Sequence, residues 1–166
     1  NDALPDGSMD FTPPFDRPFD WTASGDPKLL ARTFGFFVTP EGLREIATYA
    51  DGVGPWKRYL VRLANGEKKV FAEIVDNAHA AGLEIHTWTF RSEQDLLLPQ
   101  YAGNPLNEYF EFYGLGIDGV FSDFPDTAVA ARTLFEIERD PALAACLTGE
   151  RGGPKRGRPD CHGQRD

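Results

Sequence analysis

Histidine is the scarcest acid–base group in this chain, which holds only His79, His86 and His162. His86 stands in the most patterned stretch, "LEIHTWTF" at 83–90. There Leu83, Ile85, Thr87 and Thr89 alternate with Glu84, His86, Trp88 and Phe90. Alternation with β-branched and aromatic residues predicts a strand. A His86 facing a ligand can donate to an anion or move a proton near neutral pH, whereas one packed inside the strand layer does neither. Trp88 lies nearer the strand's C-terminal end, where a large ring forms the apolar wall of a pocket or a core contact under helices. Arg91 opens the following loop and is free to pair with an anionic ligand or to sit in solvent. Further on, "GIDGVFSDFPDTA" at 116–128 carries the short apolar run Val120-Phe121, then Asp123 and Phe124. Asp123 has two readings: a ligand for a cation or a substrate hydroxyl, or a cap for the turn before a helix. A lone carboxylate is poor support for a metal, since hard cations take several oxygens. No Gly-rich phosphate loop, H-E-x-x-H or nucleophile elbow accompanies these residues. His79 reads as a helix-surface residue.

The elements that must position these groups follow from periodicity. "TPEGLREIATYADG" at 39–52 predicts a helix, with Thr39 as N-cap, Pro40 in the first turn and Leu43, Ile46, Ala47 and Ala50 on one face. Tyr59-Leu60-Val61 is a candidate strand or short extended segment. "KKVFAEIVDNAHAAG" at 68–82 reads as a second helix, ended by Gly82. "NPLNEYFEFYGLG" at 104–116 is a third, with Leu106, Tyr109, Phe110 and Tyr113. "DTAVAARTLFEIERD" at 126–140 is the last, capped by Asp126 or Thr127, with Val129, Ala130, Leu134 and Ile137 as its apolar side. Strands separated by helices predict parallel βαβ units in an α/β fold, either a (β/α) barrel or a doubly wound sheet.

Residues 1–38 have no regular period and read as an irregular loop or insertion, rich in Pro, Asp, Gly and aromatics. Residues 39–147 form the βα part. Residues 148–166, "TGERGGPKRGRPDCHGQRD", lose their apolar residues and read as a disordered Gly/Pro/Arg-rich tail. The net charge of −9 speaks against nucleic acid as a partner of the body of the chain, and no apolar run reaches membrane-span length. No signal peptide is visible at the start. Cys146 and Cys161 do not make a disulfide framework or a metal site by themselves, and their redox state is open.

The motifs together carry a likeness. "GLEIHTWTFRSE" followed by "GIDGVFSDFPDTAV" resembles the last two strands of glycerophosphodiester phosphodiesterases. "TPEGLREIATYADGVGP" and "LPDGS" are similar to the preceding helix and loop in the periplasmic-type branch of that family. The resemblance runs over residues 4–137. It implies an incomplete piece of a TIM (β/α)8 barrel, its C-terminal portion of about three β/α units. It also implies hydrolysis of glycerophosphodiesters to sn-glycerol 3-phosphate and an alcohol by the intact enzyme, with a divalent cation, Ca or Mg, and a periplasmic or secreted setting. The family's acid and base lie in an H-R-G motif and an H-D context. No H-R-G occurs here and no His precedes an Asp. No catalytic residue or metal ligand is therefore carried over, and this chain alone is expected to be inactive and to bind no cation. What carries over is the substrate-pocket wall, with Trp88 first, then Phe124 and His86, and Arg91 beside them. A truncated barrel module that binds a partner or phosphodiester without turnover is the alternative.

Overall fold

The computed structural model describes residues 3–140, so Cys146, Cys161, His162 and the expected tail lie outside the described residues. Helices α1 (Phe19–Ser24) and α2 (Pro27–Leu30) and a 3-10 turn, Phe34–Val38, precede α3 (Pro40–Ile46). Strand β1 (Gly52–Val53), the hairpin β2 (Val61–Ala64) and β3 (Glu67–Val70), and α4 (Glu73–Ala80) follow. Then come β4 (Glu84–Phe90), α5 (Pro105–Leu115), β5 (Gly119–Ser122) and α6 (Pro125–Arg139). The functional strands form one parallel sheet in the order β1-β4-β5, with Gly52 opposite Glu84 and His86 opposite Gly119. The expected α/β class with a parallel sheet is therefore present.

Local chemistry sets the helix ends. Thr39 Oγ1 accepts from Gly42 N–H at 3.1 Å, with Pro40 and Glu41 in the first turn, as their types predict. Gly42 also permits the close entry of the chain, since a Cβ there would stand 2.0 Å from Phe36 O. Asn104 caps α5 through Leu106 N–H at 3.0 Å, and Gly116 ends it at φ +86°.

Four expectations about elements are corrected. Tyr59-Leu60-Val61 is not a strand of the parallel sheet: residues 57–59 turn, and Val61 begins the separate two-stranded antiparallel hairpin. Asn65 and Gly66 take φ of 53° and 80°, the backbone that a two-residue hairpin turn requires, so residues 67–70 extend instead of starting a helix. The first parallel strand is Gly52–Val53, in what reads as the end of the α3 helix. The segment before Thr39 is not wholly irregular. It holds α1 and α2, and Trp21 is buried against Phe37, with ring centroids 4.9 Å apart.

The core lies between the sheet and the helices. Ile85 and Thr87 of β4 are buried against α4, which contributes Ile74, Val75 and Ala78. The strand register shifts between Thr87 and Phe90, and this turns Phe90 into the core rather than onto the face of His86 and Trp88. Phe90 stacks on Tyr109 at 4.8 Å and meets Phe112 edge-on at 5.0 Å, fixing α5 to the strand. The buried side of α6 is Ala128 and Ala131, not Val129 and Leu134, because the helix meets α5 through small residues and through Phe135 on Tyr113. Val129 is left 65% exposed. Neither Asp126 nor Thr127 caps this helix: it begins at Pro125, and Asp126 lies in its first turn.

Asp118 ties the sheet together before β5. Its Oδ2 accepts Ile85 N–H at 2.9 Å and contacts His79 Nε2 at 2.9 Å, while its own N–H bonds Ile85 O at 3.0 Å. Burial pushes this carboxyl up, but the Ile85 N–H and His79 together outweigh it and hold it below its ordinary value. A depressed folded value means stability that is complete above the unfolded pKa of about 3.9 and is lost as pH falls through the folded value. Asp118→Ala is expected to cost about 1–3 kcal/mol at pH 7 by urea unfolding, from the orphaned N–H. The gap to the parent should narrow below about pH 3.9.

Candidate functional site

The sheet has one face covered by helices and one face open. On the open face stand Gly54, Glu84, His86, Trp88, Gly119 and Phe121, with Trp88 44% and Phe121 56% exposed. Gly119 makes room for the His86 ring, whereas Gly54 would tolerate a Cβ at ordinary contact distance. A Cβ on Gly119 would lie 2.9 Å from the His86 ring, and one on Gly54 would touch Trp88 and Phe121 at 4.0 Å. His86 meets Phe121 edge-on with centroids 6.3 Å apart, and its Nε2 lies 3.3 Å from Glu84 Oε2. The imidazole is half-buried on the open face.

Trp88 is held at both ends. Its indole N–H donates to Gly54 O at 2.7 Å, and its backbone N–H to Pro55 O at 3.3 Å. With Trp56 it borders a cavity of about 780 Å³ along the outer edge of β1. Phe34, Phe37, Tyr49 and Tyr59 also line this cavity, and none of its lining residues is charged. A second cavity, of about 650 Å³, runs along the outer edge of β5 between Gly119, Val120 and α6.

The strand ends carry the charges. Arg91 Nη1 pairs with Asp123 Oδ2 at 2.7 Å, and its Nε and Nη2 both reach the Glu93 carboxylate. Arg91 is therefore neither a solvated cation nor a free anion receptor, because two carboxylates already engage its guanidinium. Asp123 does not cap the helix; Ser122 Oγ takes the Phe124 N–H at 2.9 Å in that turn. Phe124 sits half-buried at the start of α6, beyond the strand end. Among the described residues, no three His, Cys, Asp or Glu come together as a cation site. The side chains present do not fit a divalent cation.

Some residues that shape the site were not singled out by their sequence positions. Phe121 reads as half of an apolar pair with Val120, and alternation alone does not say which of them faces out. Lys57 and Glu108 form a buried ion pair at 2.7 Å across 51 positions, which no local pattern announces. Burial pushes the Glu108 carboxyl up and the Lys57 ammonium down, and their mutual contact works against both shifts.

The Arg91 hydrogen bonds pull Glu93 down to about 2. In Arg91→Met, NMR titration should find the Glu93 carboxyl shifted up toward its ordinary value of about 4.3, with backbone N–H groups still holding it somewhat below. An unchanged midpoint would remove Arg91 as the cause.

Comparison with known proteins agrees with this geometry. Residues 20–127 match the model of the glycerophosphoryl diester phosphodiesterase family. The chain is 37% identical over 108 residues to a glycerophosphodiester phosphodiesterase of Treponema pallidum, covering 61% of this chain and 29% of that protein. It is 30% identical over 118 residues to the Haemophilus influenzae glycerophosphodiester phosphodiesterase, covering 66% and 31%. Glycerophosphodiester phosphodiesterase GDPD6 of Arabidopsis thaliana is 31% identical over 94 residues, covering 56% and 25%. The chain thus spans less than a third of the length of each of these curated relatives. With the family model matched over more than half its length, the chain belongs to the glycerophosphoryl diester phosphodiesterase family.

Proposed function

We propose that this chain is the C-terminal part of a (β/α)8-barrel glycerophosphodiester phosphodiesterase. Residues 39–147 supply its last βα units, and 1–38 form the insertion that leads into them. The intact enzyme hydrolyses a glycerophosphodiester to sn-glycerol 3-phosphate and an alcohol. The observation that carries this reading is a parallel sheet whose two outer strands have no partner among the described residues and whose second face exposes Trp88 and Phe121. Parallel sheets are covered on both faces in known folds, and apolar grooves along both free edges leave room for further strands. Trp88, His86 and Phe124 would then line the mouth at the strand ends, where barrel enzymes hold their substrates. Arg91 holds Asp123 and Glu93 beside them.

A divalent cation is expected of the family, but the carboxylates at these strand ends are paired with Arg91 and do not fit one. No step is assigned through a cation here. Among the described residues, no helix is long and apolar enough to cross a membrane. The likeness of residues 4–8 and 39–55 to the periplasmic-type branch supports a periplasmic or secreted setting.

The 166-residue chain is expected to give no hydrolysis of glycerophosphocholine with calcium. Turnover that survives further purification would overturn the proposal. A compact monomer with cooperative melting in light-scattering and thermal experiments would favour a self-sufficient binding module instead. In any longer polypeptide that contains this sequence and is active, Trp88→Ala should raise KM about tenfold with little change in kcat.

A further inference from the structure

The turn after β1 is gripped by a buried charge cluster to which no role has been given so far. Lys57 and Glu108 are 3% and 1% exposed, with Nζ 2.7 Å from Oε2. Arg58 Nη1 lies 3.7 Å from the other carboxylate oxygen, and Arg58 Nη2 donates to Leu96 O at 2.9 Å. Lys57 Nζ also stands 5.2 Å over the Phe90 ring. One carboxylate on α5 therefore gathers the 57–59 turn, the end of β4 and the loop at Leu96.

Removing two charges from water costs several kcal/mol each, and a well-packed apolar pair is often as stable or more so. Stability alone does not account for the cluster. In some proteins a directional buried pair of this kind fixes the register of the segment it holds. That segment follows Gly54 and Pro55, whose carbonyls receive the Trp88 indole and amide N–H groups, and Trp56 bridges to Trp88 directly.

We propose that Glu108 is a positioning residue: by holding Lys57 and Arg58 it fixes the turn after β1, and through Gly54 and Pro55 it sets the Trp88 ring on the open face. The consequence for substrate rests on the phosphodiesterase reading above, whereas the geometric link does not.

The test uses the full chain labelled with ¹⁵N at its tryptophans and follows exchange of the Trp88 indole N–H with water. Assignment comes from Trp21→Phe and Trp56→Phe. The double variant Lys57→Met/Glu108→Leu leaves Arg58 without its carboxylate and is expected to lower the urea midpoint. Its Trp88 indole should exchange about tenfold faster, the loss expected for one hydrogen bond, while Trp21 is unchanged. Glu108→Gln, which keeps the shape of the side chain, should show the same effect at several-fold size. It decides the matter if the double variant does not fold. Lys57→Arg, which keeps the charge, should restore the parental signal. Val75→Ala, a core truncation in α4, serves as the control for general loosening and should leave the Trp88-to-Trp21 exchange ratio at the parental value. Parental Trp88 exchange in Glu108→Gln would overturn the proposal, as would an equal change in Val75→Ala. No substrate enters the measurement, so its failure counts against the positioning role alone. Failure of the phosphodiesterase reading would appear only in the turnover assay.

Discussion

A parallel strand satisfies its backbone only through neighbours, and a parallel sheet is stable in water only when both of its faces are covered. Much of this molecule follows from how far that constraint is met. The helix-facing side of β4 and β5 is closed by α4, α5 and α6 around Ile85, Thr87, Phe90 and Val120. The other side is left to aromatic rings, and among the described residues both outer strands end the sheet unpaired. The same unmet requirement places Trp88 and Phe121 where a ligand or further strands can reach them.

Phe90 links the two sides. It belongs by alternation with His86 and Trp88, but the register shift before it turns the ring inward onto Tyr109 and Phe112. The strand end is thereby anchored to α5, and the backbone beyond it delivers Arg91 to Asp123 across the top of the sheet. The Lys57–Glu108 pair anchors the top of β1 to the same helix. A single helix thus holds the C-terminal ends of two strands, and α5 contributes to the site without presenting a side chain on the open face.

The charges at those ends balance locally. Arg91 meets two carboxylates, and the buried cluster sets Lys57 and Arg58 against Glu108. With its cation already engaged, this part of the mouth offers rings and backbone rather than a free charge.

How much was legible depended on the range of each interaction. The capping of α3 by Thr39, the end of α5 at Gly116, the strand over 84–90 and the α/β class all follow from neighbours in sequence, because caps, φ preferences and alternation act within a few residues. The Asn65-Gly66 turn was equally local, yet the apolar spacing after Lys68 suggests a helix until that turn is weighed. Which face of β4 is open, which residues of α6 are buried and who receives Arg91 were decided only by tertiary structure. So was the union of Lys57 with Glu108. Those outcomes depend on a register shift, on which helix lies against which strand, and on contacts between residues tens of positions apart. No local pattern encodes them, whereas the family likeness, carried by short contiguous motifs, was already present in the sequence.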